Sequence, residues 1–442
     1  MSNKKLYLID GNAFCYRAYY AIRSLTNSKG QPTNAVYGFA TMLNKLIKDE
    51  NPDYLAIAFD MKGPTFRHKM HKEYKIQRKP MPDDLVAQIP IIKDMVKAYN
   101  ISIFQKEGYE ADDILATIAV KATSASIDTR IVTGDKDILQ LVGDHVQVYN
   151  THKEGLIYDA KKVEEKYGVM PERIVDLMAL MGDQSDNYKG VPGIGEIAAS
   201  QLIKEFGSIE NLYKNIDKVK KEGWRNILIK HEADARMSRE LAQLDADVPI
   251  DIDLEGLKIQ EPDKDKLTEI FSELEFRNLL KGVVQEEEWK VDYKTISTKA
   301  EFEEFIKKLK KVKETALDFE TTNSDPMLAE AVGVSFCFKE GEAYYIPLKH
   351  VSEKTMGPDY ALGKLKEIFE DADIKKIGQN IKYEKVLLLN YGIDLKGIDF
   401  DTMVASYLLN PSRIAHGLGD ITFEHLRHKM TPISDLIGKG KK

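Results

Sequence analysis

Cysteine is nearly absent. Cys15 and Cys337 stand far apart in a chain of 442 residues, so a disulfide framework is excluded as the source of stability, and a reducing compartment, the cytoplasm, fits better. Long apolar runs are missing too. None approaches the ~20 residues a membrane helix needs, and the first residues enter a strand pattern at Lys5, too soon for a signal peptide. A cytosolic chain with no membrane partner is expected. Nor is positive charge in excess: the net charge is −7 with 31% charged residues, which argues against a protein that coats nucleic acid by bulk charge. What the chain does have is length and a 43% hydrophobic share, enough for about three domains with cores of their own.

The acids are placed in a pattern. Asp135 and Asp137 close an apolar run that begins at Ile131, and two residues apart on an extended backbone they leave the same face, with Lys136 on the other. Two anions so placed repel each other, and a divalent cation would neutralise them. Apolar runs also end in acids at Asp10 and Asp60, and further acids cluster at Glu110, Asp112 and Asp113 and at Asp183 and Asp186, making nine candidates for one site. Strands that end in acids suit an open parallel sheet, whose sites lie outside the carboxyl ends of its strands. The helix dipole alone favours acids in a first turn, but three acids at 110–113 exceed what a cap requires.

Between the acids lie two nucleic-acid signals. From Lys62 to Lys79 there are seven Lys or Arg against one Glu, with Phe66 and Tyr74 among them. Read against a plain solvated loop, this segment suits phosphate contact by the cations and stacking by the aromatics on single-stranded or frayed nucleic acid. The run Lys189-Gly190-Val191-Pro192-Gly193-Ile194-Gly195 precedes a helical pattern from Ala198 to Phe206. Its glycines let backbone amides approach a phosphate at a helix N-terminus without reading bases, while Val191 and Ile194 anchor the hairpin.

Elsewhere the periodicities predict strands at Lys5–Ile9, Tyr54–Phe59, 101–104, 146–149 and 156–158. Helices are expected at Val36–Ile47, from Pro82 to Tyr99, at Glu110–Ala122 with Ile114, Leu115 and Ile118 inward, and at Pro171–Met181. Gln285–Lys290 reads as a charged linker. Beyond it, Asp318 and Glu320 share a face of a strand, 332–338 and 343–347 form a hairpin, and a strand at Ile377 leads into a helix at Glu384. A second acidic site with fewer ligands is conceivable there.

With these residues in view, the first ~290 residues resemble the 5′ nuclease domain of the bacterial DNA polymerase I family, a branch of the flap endonucleases. Leu-Ile-Asp-Gly-Asn, Ala-Phe-Asp, Tyr-Glu-Ala-Asp-Asp, Thr-Gly-Asp-Lys-Asp, Gly-Asp-Gln-Ser-Asp-Asn and Gly-Val-Pro-Gly-Ile-Gly stand in that family's order. The resemblance implies a PIN-like parallel α/β sheet flanked by helices, a helical arch from the basic segment, and a helix-three-turn-helix subdomain gripping duplex DNA. It implies two Mg²⁺ or Mn²⁺ ions, one held by Asp10, Asp60, Glu110 and Asp112 with Asp113 adjacent, the other by Asp135, Asp137, Asp183 and Asp186. Tyr74, Lys75 and Arg78 match the catalytic Tyr-Lys-x-x-Arg run of the arch. Arg17 and Arg67 are further phosphate contacts, and Lys189, Gly190, Val191, Gly193, Ile194 and Gly195 form the duplex-binding hairpin, with a monovalent cation as a further ligand there.

From about Val291 the chain resembles a ribonuclease H-like 3′-5′ exonuclease domain of the same family. Asp318 and Glu320 match its first motif, and Glu384 stands where its second carries Asp. The third motif, a Tyr and an Asp four residues apart, does not occur before Lys442, so this α/β domain is expected to be incomplete and without 3′ activity, and a polymerase domain is expected in the full-length protein. The expected organisation is a catalytic core at 1–170, the helix-three-turn-helix part at 171–260, a connection at 261–290 and the exonuclease-like domain at 291–442. The expected function is metal-dependent cleavage of DNA near a 5′ end, flap or nick by a monomer. A catalytically silent junction binder and a PIN-type ribonuclease are the alternatives.

Overall fold

The structure, a computed structural model, describes residues 4–150, 155–283, 291–350, 355–411, 415–426 and 428–431. The expected linker Gln285–Lys290 lies outside the described residues. The chain divides into two compact units, Met1–Val283 and Val284–Lys442. No described helix is long and apolar enough to cross a membrane.

In the first unit β1 (Lys5–Asp10), β2 (Tyr54–Ala58), β3 (Ser102–Phe104), β4 (Asp128–Val132), β5 (Val146–Asn150) and β6 (Leu156–Tyr158) form one sheet in the order β3-β2-β1-β4-β5-β6. Every pairing is parallel except β5 with β6. A sheet covered on both faces asks for unbroken apolar strands rather than alternation, and Leu6 to Ile9 and Tyr54 to Ala58 are buried throughout. The chain runs outward from β1 through β2 to β3 and then returns to place β4 on the other side of β1. That reversal opens a crevice at the carboxyl ends of β1 and β4, the usual place for a site in such a sheet.

The covering helices include Gly11–Ala21, Asn34–Glu50, Asp83–Ala98 and Ala111–Ser124. The last of these buries Ile114, Leu115 and Ile118 completely, as its spacing predicts. A helical region follows, with Ile174–Met181 packed against Glu232–Ala242 and Glu196–Phe206. It shares one continuous apolar cluster with the sheet.

The basic segment departs from expectation. Instead of a helical arch it contains one five-residue helix, Phe66–Met70, capped by Thr65 and followed by turns. Pro64, Pro80 and Pro82 restrict helix at both ends, and the intervening turn is pinned to the acids described below.

In the second unit β7 (Asp292–Thr295), β8 (Glu314–Thr321), β9 (Ala331–Lys339), β10 (Glu342–Pro347), β11 (Lys375–Gly378) and β12 (Ile398–Asp401) form a mixed sheet in the order β12-β11-β8-β9-β10-β7. The expected hairpin is the antiparallel pair β9 and β10, and β8 also runs antiparallel to β9. Helices Lys299–Leu309 and Pro358–Phe369 bury Phe302, Phe305, Leu365 and Phe369 in its core. Toward the β12 edge, Ile398, Phe400, Val404, Tyr407, Leu408 and Leu409 are exposed, the last two by 76% and 78%.

Candidate active site

Asp10 ends β1 and caps the next helix, its Oδ1 accepting the Ala13 N–H at 3.0 Å, while Oδ2 accepts the Thr133 hydroxyl at 3.1 Å. Gly11 follows because a Cβ there would meet the Phe59 ring at 2.6 Å. Asp60 follows β2; its Oδ1 accepts the Ala111 N–H at 2.8 Å and its Oδ2 the Asn12 amide at 2.9 Å. Thus one carboxylate ties the end of β2 to the start of the helix that carries Glu110 as its cap. Asp10, Asp60, Glu110, Asp112 and Asp135 line one cavity of 420 Å³, together with Asn12, Tyr16, Lys75 and Arg78.

Asp135 and Asp137 are not neighbours on an extended strand. β4 stops at Val132, Asp137 opens a 3-10 turn, and the Asp137 N–H donates to Asp135 Oδ1 at 2.9 Å. Asp183 and Asp186 follow the helix Ile174–Met181 across a tight turn, where Asp183 Oδ1 accepts the N–H of Ser185 at 2.6 Å. Lys136 was expected to point away from the acids. Its Nζ instead reaches Asp183 Oδ2 at 2.7 Å.

Crowding these groups has an electrostatic cost that the carboxyl groups register. Burial, aided by Asp60 and Asp135, pushes Asp10 up to about 7. Asp112 is raised well above its ordinary range by burial and then by Asp135 and Asp10. Asp137 is raised by burial and then by Asp135, Asp186 and Asp183. Asp186 goes the other way: burial disfavours its charge, but Lys75 and Arg78 outweigh burial and hold it low.

One of the nine acids does not belong to the site. Asp113 is fully buried, and both its oxygens take Arg67 guanidinium hydrogens at 2.7 Å. They also accept the N–H groups of Glu110 and Asp245 at 3.1 and 2.9 Å. Adjacent helix positions differ by about 100° in direction, so Asp112 and Asp113 cannot face the same way. The expectation for Arg67 falls with it. At 1% exposure, and donating to the Leu241 and Gln243 carbonyls at 2.9 and 2.8 Å, Arg67 is unavailable to a phosphate.

Other expectations also need correction. Tyr74 is 3% exposed and therefore closed to base stacking; its hydroxyl donates to Glu110 Oε2 at 3.1 Å and Asp186 Oδ2 at 3.0 Å. Arg17 faces a different cavity, lined by Phe14, Met42, Lys45, Asp49 and Tyr149, away from the acids. Within the hairpin, Val191 and Ile194 are buried at 2% and serve as anchors only. Gly190 lies beneath the surface too: its N–H donates to Ser238 Oγ at 3.2 Å, and at φ +56° a Cβ would collide with the Gly182 nitrogen. Lys189, Gly193 and Gly195 remain exposed beside the N-terminus of the helix Glu196–Phe206.

Asn12, Thr133 and Lys136 were not read as site residues, although each sits inside an acidic motif whose polar neighbours were the available signal. In the second unit Asp318 and Glu320 lie exposed on one face of β8 as expected. Glu384 is 4% exposed and is pushed up to about 7 by burial and then by Asp318 and Asp401. Asp401 itself accepts the N–H groups of Met403 and Val404 at 2.8 and 3.2 Å and so serves the helix start, the role expected of it.

Among the described residues no three acid, His or Cys side chains close on one point as a finished metal cage. Their oxygens are turned toward Lys75, Arg78, Lys136 and backbone N–H groups. The donor set nevertheless fits hard divalent cations: it consists of carboxylate oxygens, and Asp112 Oδ1 is buried without a partner.

Comparison with known proteins gives matches along most of the chain. Residues 5–168 match the family model for the 5′-3′ exonuclease N-terminal resolvase-like domain, 169–265 the 5′-3′ exonuclease C-terminal SAM fold, and 293–442 a 3′-5′ exonuclease. The chain is 38% identical to DNA polymerase I of Pseudomonas aeruginosa, covering 100% of this chain and 51% of the relative. It is 36% identical to that of Bacillus subtilis, covering 99% and 49%. The chain thus spans about half the length of these curated relatives. A solved T5 5′-exonuclease with bound divalent metal ions (zinc) is 22% identical with a TM-score of 0.46, over 62% of this chain and 99% of that one. Over residues 5–265 the chain belongs to the 5′-3′ exonuclease family, and over 293–442 it carries a 3′-5′ exonuclease domain, the two being spanned together by its likeness to DNA polymerase I.

Proposed function

We propose that this chain hydrolyses DNA phosphodiesters near 5′ ends, flaps or nicks, with two Mg²⁺ or Mn²⁺ ions held by Asp10, Asp60, Glu110, Asp112, Asp135, Asp137, Asp183 and Asp186. The observation that carries the reading is the gathering of these acids at the crevice of a parallel sheet, with four of them, Asp10, Asp60, Asp112 and Asp137, pushed toward protonation by burial and mutual repulsion. A paired site of this kind supplies an activated water and stabilises the leaving oxygen.

The protein's own groups bind and orient. Lys75 and Arg78 line the same cavity as the first five acids and present hydrogen-bond donors to a scissile phosphate; donors already in place are worth several kcal/mol. Lys189, Gly193 and Gly195 offer a cation and backbone amides to the duplex at a helix N-terminus, which positions without reading sequence. A silent junction binder is disfavoured because an uncompensated acidic crevice repels DNA. For the second unit we propose no 3′ release: Asp318 and Glu320 share a face of β8, but Glu384, standing where the resemblance has Asp, is buried at 4% exposure.

The test is Asp137→Ala on a 5′-flap duplex in Mg²⁺, beside a binding titration in Ca²⁺. Cleavage is expected to vanish while binding persists or tightens, since a ligand and a negative charge are removed together. Turnover retained by the variant, or by the parent in chelator, refutes the reading.

A further inference from the structure

The turn that carries Asp183 and Asp186 is stapled at its base. Asp183 and Tyr188 exchange two backbone hydrogen bonds, of 2.9 and 3.0 Å, and the Val191 N–H donates to the Leu180 carbonyl at 2.8 Å. Gly182 and Gly190 lie against each other across the same staple, both at positive φ, and a Cβ on either would strike the opposite backbone. The direction of the Tyr188 side chain is therefore set by backbone pairing and packing. Its ring belongs to the continuous apolar cluster and the residue is 3% exposed.

The hydroxyl at the end of that ring is the exception. Its oxygen is buried and meets no hydrogen-bond partner in the protein. The charges that bear on it are the carboxylates of Asp137, Asp183, Asp186 and Asp135, Asp137 most of all. These are the four acids assigned to the second ion, and none of the first set is among them. A buried hydroxyl without a partner is costly, whereas phenylalanine would fill the same volume without that cost. Toward a carboxylate the phenol O–H can serve only as a donor.

We propose that Tyr188 is a positioning residue for the ion held by Asp135, Asp137, Asp183 and Asp186, its hydroxyl donating to Asp137 and fixing the direction in which that carboxylate presents its oxygens. This rests on the metal-site reading above and deepens it, because it makes the two ions unequal: one depends on a buried phenol and the other does not. Carboxylates that hold an ion are themselves held by hydrogen bonds, and losing such a partner weakens the ion about 10–100-fold.

The experiment uses the full chain, without DNA, and reads Mn²⁺ binding by calorimetry beside melting temperatures in chelator and in Mn²⁺. The parent should bind two ions. Tyr188→Phe should bind one of them at least about tenfold more weakly and the other as the parent does. In chelator it should melt no lower than the parent, since the ring stays and only an unpaired hydroxyl is lost, but Mn²⁺ should raise its melting temperature less. Asp10→Asn should weaken the other ion, and the two losses should add in the double variant, as they do for independent sites. If Tyr188→Phe binds both ions as the parent does, the hydroxyl positions nothing and the proposal is overturned. If it weakens both ions together, or melts lower in chelator, the side chain serves the fold rather than one ion, and the proposal is overturned equally. If the parent itself binds no Mn²⁺, the metal-site reading fails and the proposal with it.

Discussion

Replacing Arg67 by Met separates a structural role from a DNA-binding one. The guanidinium is 1% exposed and holds a fully buried Asp113 through two bonds of 2.7 Å. It also satisfies the Leu241 and Gln243 carbonyls, so it fastens the basic segment to the helix Ala111–Ser124 and to the end of Glu232–Ala242. Methionine fills most of the volume but leaves Asp113 charged and buried beside only backbone donors. Removing one partner of such a pair costs about 3–5 kcal/mol, against a total of about 5–15 kcal/mol for a typical domain. At roughly 2–4 °C per kcal/mol for a unit of this size, the first unit should melt at least about 6 °C lower, followed by circular dichroism at fixed pH and salt. Lysine keeps the charge but cannot reproduce the fork, so Arg67→Lys should fall between. If Arg67→Met instead melts like the parent and binds DNA with a salt dependence shallower by about one phosphate contact, then Arg67 faces DNA and its burial is irrelevant.

Three further outcomes follow from particular residues. Gly193→Ala forces a side chain into φ +83° on the exposed hairpin and should weaken duplex binding in a titration with only a modest fall in melting temperature from backbone strain, whereas Gly190→Ala should lower it further through its collision with Gly182. Equal melting of the two variants contradicts the assignment of Gly190 to the interior. Glu384 carries a folded-state value of about 7 against an ordinary 4.5, so the folded second unit binds the extra proton and its stability falls as pH rises from about 4.5 through 7. Glu384→Gln should remove that fall and melt higher than the parent at pH 8, and identical pH profiles would refute it. Asp318→Ala should leave release of 3′ nucleotides from a 5′-blocked single strand unchanged, because none is expected from the parent; robust Mg²⁺-dependent release lost in the variant overturns this.

The sequence by itself determined the sheet and its rim. Parallel strands covered on both faces must be apolar along their length, so the runs ending at Asp10 and Asp60 announced both the strands and the side of the sheet where acids gather. It also placed Glu110, Asp112 and Asp113 at a helix start and Asp401 at another, because caps are local chemistry. Which acid looks into the crevice was beyond it. Asp112 and Asp113 are chemically alike, and only the arrival of Arg67 from 46 positions earlier turns one inward to an ion pair and leaves the other facing Asp10 and Asp135. The basic segment repeats the lesson. Its charge was plain in the chain, but whether seven cations project toward solvent or fold onto carboxylates depends on Asp186 and Asn187, more than a hundred positions on. Local pattern determines what a residue can donate or accept. The partner that arrives is decided by the packing of distant segments, and in a site built from repelling charges that packing decides which groups stay charged.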